Sequence, residues 1–229
     1  MARMKKQVLG KVSGGVGDLV FRNRNESNYI ALRPIRFNTP MDDRAVARRS
    51  KFKSAVQFAS AMNAIIPLKQ IWNKNTTGNN TVYNRMVKSN YSSLVNMLPS
   101  QYTALTPGKG FPATTQNIEL NQEQVRMVFN ALGSESGIDT QIEKTIRLAC
   151  VLCLSAPSNP MYSEIVYLPL VSSSQNIILT DPLDITIGLN SNEKELFNLY
   201  GNKKMLAVLI TYDVDLLAVS SSNTIFFEQ

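Results

Sequence analysis

The chain has 229 residues, 44% of them hydrophobic, so it is long enough to bury a core. It contains no histidine, which excludes Ser-His-Asp and Cys-His catalysis and most catalytic zinc sites. The net charge of +7 conceals a division: residues 1–90 hold 17 basic and 4 acidic residues (+13), whereas residues 91–229 hold 7 and 13 (−6). This asymmetry predicts a basic surface that meets nucleic acid or an acidic partner, or the acidic half of a second copy.

Membrane and secretion segments are not expected from the pattern of apolar residues. The sequence has no run of 18 apolar residues of the kind that forms a transmembrane helix. Residues 1–10 carry cations without the apolar stretch of a signal peptide. We therefore expect no membrane partner, no signal peptide, and a location in the cytoplasm or within an assembled virion.

Two short strands, residues 19–24 and 29–34, are predicted near the N-terminus, with a turn between them. The alternation of side chains along these strands places Arg22, Arg24 and Arg33 on one basic face that also holds Tyr29. Such a face suits nucleic acid, although a ribbon docked on a helix produces the same alternation. The glycines that precede the strands do not match the spacing of a phosphate-binding loop.

A long amphipathic helix is predicted next, with Thr39 as its N-cap, Pro40 at its first position and Pro67 at its end or at a kink. Its predicted buried stripe consists of Phe52, Ala55, Val56, Ala59, Met62 and Ile66. The opposite face is basic, with Arg44, Arg48, Arg49, Lys51 and Lys53. A face of this kind is either simply solvated or bound to phosphate or to an acidic partner.

Two further helices and a linker are predicted before the β-rich half. Residues 68–74 continue as a short helix that carries Trp72, and Asn80 or Thr81 caps a helix that pairs with the first one as an antiparallel hairpin. Residues 99–112 contain three prolines and two glycines, which is typical of a domain boundary. The predicted organisation is therefore a basic domain (1–98), a linker (99–112) and a β-domain (113–229).

Residues 113–229 show the alternation and short apolar runs of about seven strands. The segment 125–132 fits a strand or a helix, 146–154 is a core strand, 216–227 is one strand, and 190–204 contains a helical turn. The predicted fold class is α+β: a basic β-hairpin and a helical hairpin, followed by an antiparallel β-sandwich.

The sequence offers little for catalysis. Cys150 and Cys153 form a single CxxC inside an apolar run, where residues three apart in a strand point to opposite faces, so we expect buried thiols in a reducing compartment. The acid pairs are expected to be solvated: Asp181/Asp184, Glu193/Glu195 and Asp213/Asp215. We expect no cofactor, no metal site and no enzymatic activity.

Four segments resemble an uncharacterised family of Bacteroidetes proteins: Gly-Lys-Val-Ser-Gly-Gly-Val-Gly-Asp-Leu-Val-Phe-Arg (10–22), Tyr-Ile-Ala-Leu-Arg-Pro (29–34), Arg-Arg-Ser-Lys-Phe (48–52) and the strands within 206–222. The glutamine that the family places before its Arg pair is not found here, where Asp43 and Arg44 stand. The resemblance implies a basic helical N-terminal part and an immunoglobulin-like sandwich, and it suggests phage-derived structural components without an established activity.

Two functional hypotheses follow. The first is a non-enzymatic structural protein, such as a component of a virion or phage-like particle, that self-associates or binds other structural subunits. The second is a nucleic-acid-binding protein without sequence preference, for DNA or RNA. Both use the same predicted binding residues: Arg22, Arg24, Arg33, Arg44, Arg48, Arg49, Lys51 and Lys53.

Overall fold

The computed structural model describes residues 2–3, 12–24, 27–33, 40–74 and 80–229. The chain forms two compact units, Met1–Val46 and Ala47–Gln229. The fold is α+β, with helices and three antiparallel sheets in the described ranges. One sheet belongs to the first unit, and the other two belong to the second.

The sheet of the first unit has the strand order β1-β4-β3-β2. Its strands are β1 (Ala2–Arg3), β2 (Gly14–Val16), β3 (Leu19–Arg24) and β4 (Ser27–Leu32). The predicted hairpin is confirmed as β3 and β4, which pair antiparallel with Arg22 opposite Tyr29. A left-handed Gly17, with φ of 56°, makes the tight turn from β2 into β3. The predicted end of the second strand, Pro34, lies outside the described residues.

Helix α1 (Asp43–Ala64) begins three residues later than the predicted helix. The carboxylate of Asp42 accepts a hydrogen bond from the Ala45 N–H (3.3 Å), and the Asp42 carbonyl accepts one from the Val46 N–H (3.0 Å). These are the two bonds of an N-cap residue, so Asp42 caps the helix. Thr39, the predicted cap, lies outside the described residues.

The chain kinks after α1, as Pro67 predicted. Helix α2 (Ile66–Lys74) follows α1 after the single non-helical residue Ile65. Pro67 lies in the first turn of α2, where a missing N–H breaks no helical hydrogen bond. The kink therefore falls where the proline would interrupt a continuous helix.

The predicted buried stripe of α1 is partly wrong. Three of its residues are buried: Ala55, Ala59 and Met62. However, Phe52 is 55% exposed and Ile66 is 69% exposed, whereas Phe58 and Ile65 are buried instead. The buried face is thus rotated around the helix, because the packing partner selects Phe58 and Ile65 from two possible apolar stripes.

The remaining helices are α3 (Val82–Asn90) and α4 (Ser191–Leu199). Thr81 caps α3 by accepting a hydrogen bond from the Asn84 N–H, which confirms one of the two predicted caps. The Tyr83 hydroxyl donates to the Val56 carbonyl of α1 (3.1 Å), so α1 and α3 are in contact, while their antiparallel sense stays a prediction. No helix in the described ranges is long and apolar enough to cross a membrane.

The second unit contains two antiparallel sheets. The smaller sheet has the order β10-β6-β5, from β5 (Thr115–Leu120), β6 (Gln124–Phe129) and β10 (Leu183–Gly188). The larger sheet comprises β7 (Thr145–Pro157), β8 (Ile165–Val171), β9 (Gln175–Asn176), β11 (Tyr200–Tyr212), β12 (Ala218–Ser221) and β13 (Ile225–Glu228). These nine strands exceed the predicted seven, partly because 216–227 contributes to two strands.

Strands β7 and β11 form the centre of the unit. Each has 13 residues, and they pair antiparallel over almost their whole length. One face of this pair packs with the smaller sheet in a single hydrophobic core, whereas the other face packs with α1, α2 and α3. Burial on both faces explains why 146–154 is an almost continuous apolar run.

The predicted linker, residues 99–112, does not separate two compact units. Leu105 is fully buried, and its carbonyl accepts a hydrogen bond from the Trp72 indole (2.7 Å). Phe111 is bound to the strand region through its N–H to Ser221 (2.9 Å) and its carbonyl to Asn223 (2.9 Å). The division lies instead between residues 46 and 47, because the helices bury their apolar faces on the larger sheet.

The two phenylalanines of α1 provide a direct test of which face is buried. Phe58→Ala should lower the free energy of unfolding by about 3–5 kcal/mol, because it empties a fully buried position. Phe52→Ala should lower it by less than about 1 kcal/mol, since that ring is largely exposed. Urea denaturation measures both values, and equal losses would contradict the observed rotation of the helix.

Gly110 provides a test of how closely residues 99–112 pack against the strand region. It has φ of +67°, and a Cβ atom there would lie 2.3 Å from the Ser221 carbonyl oxygen. Gly110→Ala should therefore destabilise the protein by more than about 2 kcal/mol in thermal or urea unfolding. Gly108→Ala is the matched control, because a Cβ there meets nothing within 4 Å, and a similar loss in both variants would count against this packing.

Candidate interface on the basic helix

The predicted basic residues of the first unit lie on and beside its sheet. The side chains of Arg22 and Arg33 are exposed, and Arg22 shares a face with its cross-strand neighbour Tyr29, as predicted. The backbone of Arg24 lies in β3, and its side chain lies outside the described part of the structure. Arg44, at the start of α1, is exposed as well.

The cations of α1 in the second unit do not behave alike. Arg48, Arg49 and Lys53 are exposed, whereas Lys51 is half-buried. The Lys51 ammonium lies 3.5 Å from the Ser92 carbonyl oxygen and 5.4 Å from the centre of the Tyr91 ring. Lys51 therefore has partners within the chain, so the predicted row of cations is interrupted at this position.

Arg48 and Lys53 have no ion-pair or hydrogen-bond partner among the described residues. The ion pairs that the structure shows involve three cations of the second half: Arg126, Lys194 and Lys204. Glu164 lines one cavity with Lys53 but forms no ion pair with it. An unpaired charge keeps its field in solution within about one Debye length, ~10 Å at 0.1 M salt. This face of α1 can therefore attract an acidic surface.

A groove between α1 and α3 adjoins the basic face. Its cavity of about 510 Å³ is lined by Phe52, Val56, Asn80, Tyr83, Asn84, Val87, Lys88 and Tyr91. Three of these residues are aromatic, and the cations Lys51 and Lys88 lie at the groove. Aromatic faces beside cations can hold an apolar anchor or a stacked nucleobase.

Sequence reasoning missed this groove because it assigned Phe52 to the core. The available signal was the position of Phe52 between Lys51 and Lys53, at the border of the apolar stripe. Tyr83 in α3 and Tyr91 at its C-cap are eight residues apart, a spacing of about two turns that places them toward the same side of the helix. The two patterns indicate an aromatic groove only once the packing of α1 against α3 is known.

Several acidic side chains of the second half are also exposed without ion-pair partners in the described ranges: Glu135, Glu164, Glu195 and Asp215. They provide the acidic surface that the charge division predicted. Basic and acidic surfaces therefore occur on the same chain, so one copy can complement another.

The acid pairs noted in the sequence have local structural roles. Asp184 accepts hydrogen bonds from Arg126, with 2.6 Å between Arg126 Nη2 and Asp184 Oδ2, and this contact lowers the pKa of Asp184. Glu193 forms a capping box with Asn190 at the start of α4. Asp213 Oδ1 accepts from the N–H groups of Asp215 and Leu217, which closes a turn. The described residues contain no cluster of three metal-ligating side chains.

The two cysteines are buried and unpaired, and they face opposite sides of β7, as predicted. Cys150 belongs to the core between the two sheets, and burial raises its pKa far above the usual range. Cys153 faces Tyr167, and burial raises its pKa to about 12. Neither thiol is therefore a nucleophile near neutral pH, because the thiolate is the reactive form.

Comparisons with known proteins identify no relative. No protein-family model matches the chain, and no curated protein matches it. Among solved structures, two of beta-glucosidase from Kluyveromyces marxianus, one with bound glucose and one labelled with selenomethionine, are 9% and 8% identical. They cover 52% and 62% of this chain but only 15% and 17% of their own length, with TM-scores of 0.22 and 0.23. A likeness this weak carries no argument about fold or activity.

The burial of the thiols predicts their reactivity. At pH 8 a thiol with the pKa of Cys153 is ionised to a fraction of about 10⁻⁴, so native protein should react negligibly with Ellman's reagent. Protein in concentrated guanidinium should release two equivalents per chain, which is the control. A stoichiometric reaction of the native protein would show that β7 opens or that the thiols are accessible.

Proposed function

We propose that this chain is a non-enzymatic structural protein that assembles by docking the basic face of α1 on an acidic surface of a neighbouring copy or subunit. The observation that carries the proposal is the pair of exposed cations Arg48 and Lys53, which have no ion-pair partner among the described residues, on a helix that is anchored to the larger sheet by its buried face. In a helix anchored in this way the backbone is already ordered, so only the side chains lose conformational freedom on binding.

Charge complementarity favours a second copy as the partner. The balance of +13 in residues 1–90 faces a balance of −6 in residues 91–229 of another chain. Complementary potentials steer association and fix its register. Because exposed acids such as Glu135, Glu195 and Asp215 belong to other segments than α1, the proposed contact is head-to-tail, which gives closed rings or open filaments depending on its rotation.

The proposal includes an assembly role for the β-rich part. The smaller and larger sheets share one core, which supports an immunoglobulin-like sandwich as the module that carries α1 to α3. The setting of a virion or phage-like particle is suggested by the family resemblance described above. In this proposal Arg22, Arg33 and Arg44 of the first unit are further exposed cations that a partner could contact.

Binding of single-stranded nucleic acid without sequence preference is the second candidate. The aromatic groove favours it, because Phe52, Tyr83 and Tyr91 lie beside cations. Base stacking on an aromatic side chain contributes about 1–3 kcal/mol per base, and it tolerates any sequence. Both candidates use α1 and the adjoining groove, but the first has a protein subunit bound there and the second has nucleic acid.

The test uses the full chain, because the helices share a core with the strands and a fragment 1–98 would lose it. The double variant Arg48→Glu/Lys53→Glu should self-associate at least about fivefold more weakly than the wild-type chain at low salt. Sedimentation velocity across a salt series measures this. The matched control is Lys109→Glu/Lys144→Glu, which makes the same change in net charge at exposed positions outside α1.

The same proteins are titrated against a labelled thymidine oligonucleotide. If Arg48 and Lys53 contact phosphates, a plot of log association constant against log salt concentration should be less steep by about 1.4 in the double variant than in the wild-type chain. Association without oligonucleotide, reduced only in the α1 variant, supports the assembly proposal. Oligonucleotide binding by a monomer supports the second candidate, and neither behaviour at about 50 mM salt would contradict both.

A further inference from the structure

A cavity of about 350 Å³ lies where the α1–α2 kink meets the larger sheet, away from the basic face of α1. Arg147 of β7 and Tyr212 of β11 belong to its floor, and both project from the helix-facing side of the sheet. In the register of these strands Thr145 is opposite Tyr212, so Arg147 is the diagonal neighbour of Tyr212. The Arg147 guanidinium carbon lies 5.1 Å from the centre of the Tyr212 ring.

Two buried side-chain atoms of this pair have no hydrogen-bond partner among the described residues. Tyr212 is 2% exposed, and its buried hydroxyl has no hydrogen bond among the described residues. The buried Arg147 Nε likewise has none. Leaving a buried donor unsatisfied costs about 1–3 kcal/mol, so the fold carries two such penalties at one place. Buried polar groups without partners are rare in folded proteins, and each requires an explanation.

The chemistry of the lining is that of a site for an anion. Arg147 offers only donors, and burial raises the pKa of Tyr212 to about 12, so its hydroxyl keeps its proton at neutral pH. The oxygen of the Gln70 amide accepts a hydrogen bond from the Ala218 N–H (3.0 Å), which leaves its NH₂ group as a further donor. No aspartate or glutamate is among the residues that line the cavity.

The remaining walls are apolar. They consist of Ala64, Ile65, Ile66, Pro67, Pro169, Val171 and Leu216. Ile66, 69% exposed, and Leu216, 53% exposed, form part of an apolar rim. Donors on the floor and an apolar rim match a small molecule with an anionic head and an aliphatic or aromatic body.

We propose that this cavity binds a small carboxylic acid, with its carboxylate hydrogen-bonded to Arg147 and Tyr212 and its apolar body between the α1–α2 kink and β8. The planar guanidinium is suited to bidentate binding of a carboxylate. The apolar body covers Ile66 and Leu216 and removes them from water. The volume is at the lower end of the range of small-molecule pockets, about 300–1,000 Å³, so a molecule of modest size fits. This site is independent of the assembly proposed above.

The test compares sodium hexanoate with hexan-1-ol, which has the same apolar body without the charge. Titration calorimetry and thermal unfolding of the full chain should show saturable binding of hexanoate and at least about tenfold weaker binding of hexan-1-ol. Arg147→Met should weaken hexanoate binding at least about tenfold while hexan-1-ol binding is retained. Lys144→Met, which removes one exposed positive charge outside the cavity, is the control and should change neither affinity.

Tyr212→Phe separates a ligand-binding role from a structural one. Because the hydroxyl has no partner, its removal should leave the melting temperature unchanged or raise it, yet weaken hexanoate binding about three- to tenfold. This variant also keeps the proposal testable if Arg147→Met fails to fold. Equal affinity for hexanoate and hexan-1-ol would contradict carboxylate recognition, because the site would then bind only the apolar body. The absence of hexanoate binding up to about 10 mM would also overturn the proposal.

Discussion

The pairing of β7 with β11 is the constraint on which the second unit depends. Two strands of 13 residues each, apolar on both faces, must be covered on both sides. The smaller sheet covers one side, and α1, α2 and α3 cover the other. Both the smaller sheet and the helices are needed, because an exposed apolar face would cost about 25 cal/mol for each Å² left in water. The helices are therefore part of the same cooperative unit as the strands, although the sequence between them is rich in proline and glycine.

The same constraint determines where the charges of α1 can lie. The helix is fixed on the sheet through Phe58, Met62 and Ile65, so the opposite side of the helix must face solvent. Burying an isolated cation is costly, and Arg48, Arg49 and Lys53 accordingly remain exposed. No acidic side chain of the described residues forms an ion pair with Arg48 or Lys53, so their charge is available for a partner. An anchored helix with exposed cations is the basis of the docking function proposed above.

Local patterns in the sequence predicted the elements better than they predicted the packing. The cap at Thr81, the kink at Pro67 and the opposite orientation of Cys150 and Cys153 follow from rules that act within a few residues. The buried stripe of α1 required more, because alanines on several sides make its two apolar stripes similar, and only contact with the sheet distinguishes Phe58 from Phe52. The proline-rich segment 99–112 has the composition of a linker, yet Leu105 is buried in the helix–sheet core and its carbonyl accepts a hydrogen bond from Trp72, 33 residues away in the sequence. The cavity around Arg147 combines strand register with a helix kink, and no single segment contains that information.

Arginines serve two different purposes in this chain, and the difference is one of environment. On the surface of α1 a cation interacts through water, so each contact contributes about 0–1 kcal/mol and is weakened by salt. Useful binding there requires many contacts, which gives broad recognition of acidic surfaces and strong dependence on ionic strength. Arg147 is partly buried beside an aromatic ring and apolar walls, where the effective dielectric constant is lower and a single carboxylate contact is stronger and less screened. A partner bound to α1 should therefore be released by salt that leaves a ligand at Arg147 in place. The two surfaces can be occupied independently, because one responds to the charge of a whole macromolecule and the other to the shape of one small molecule.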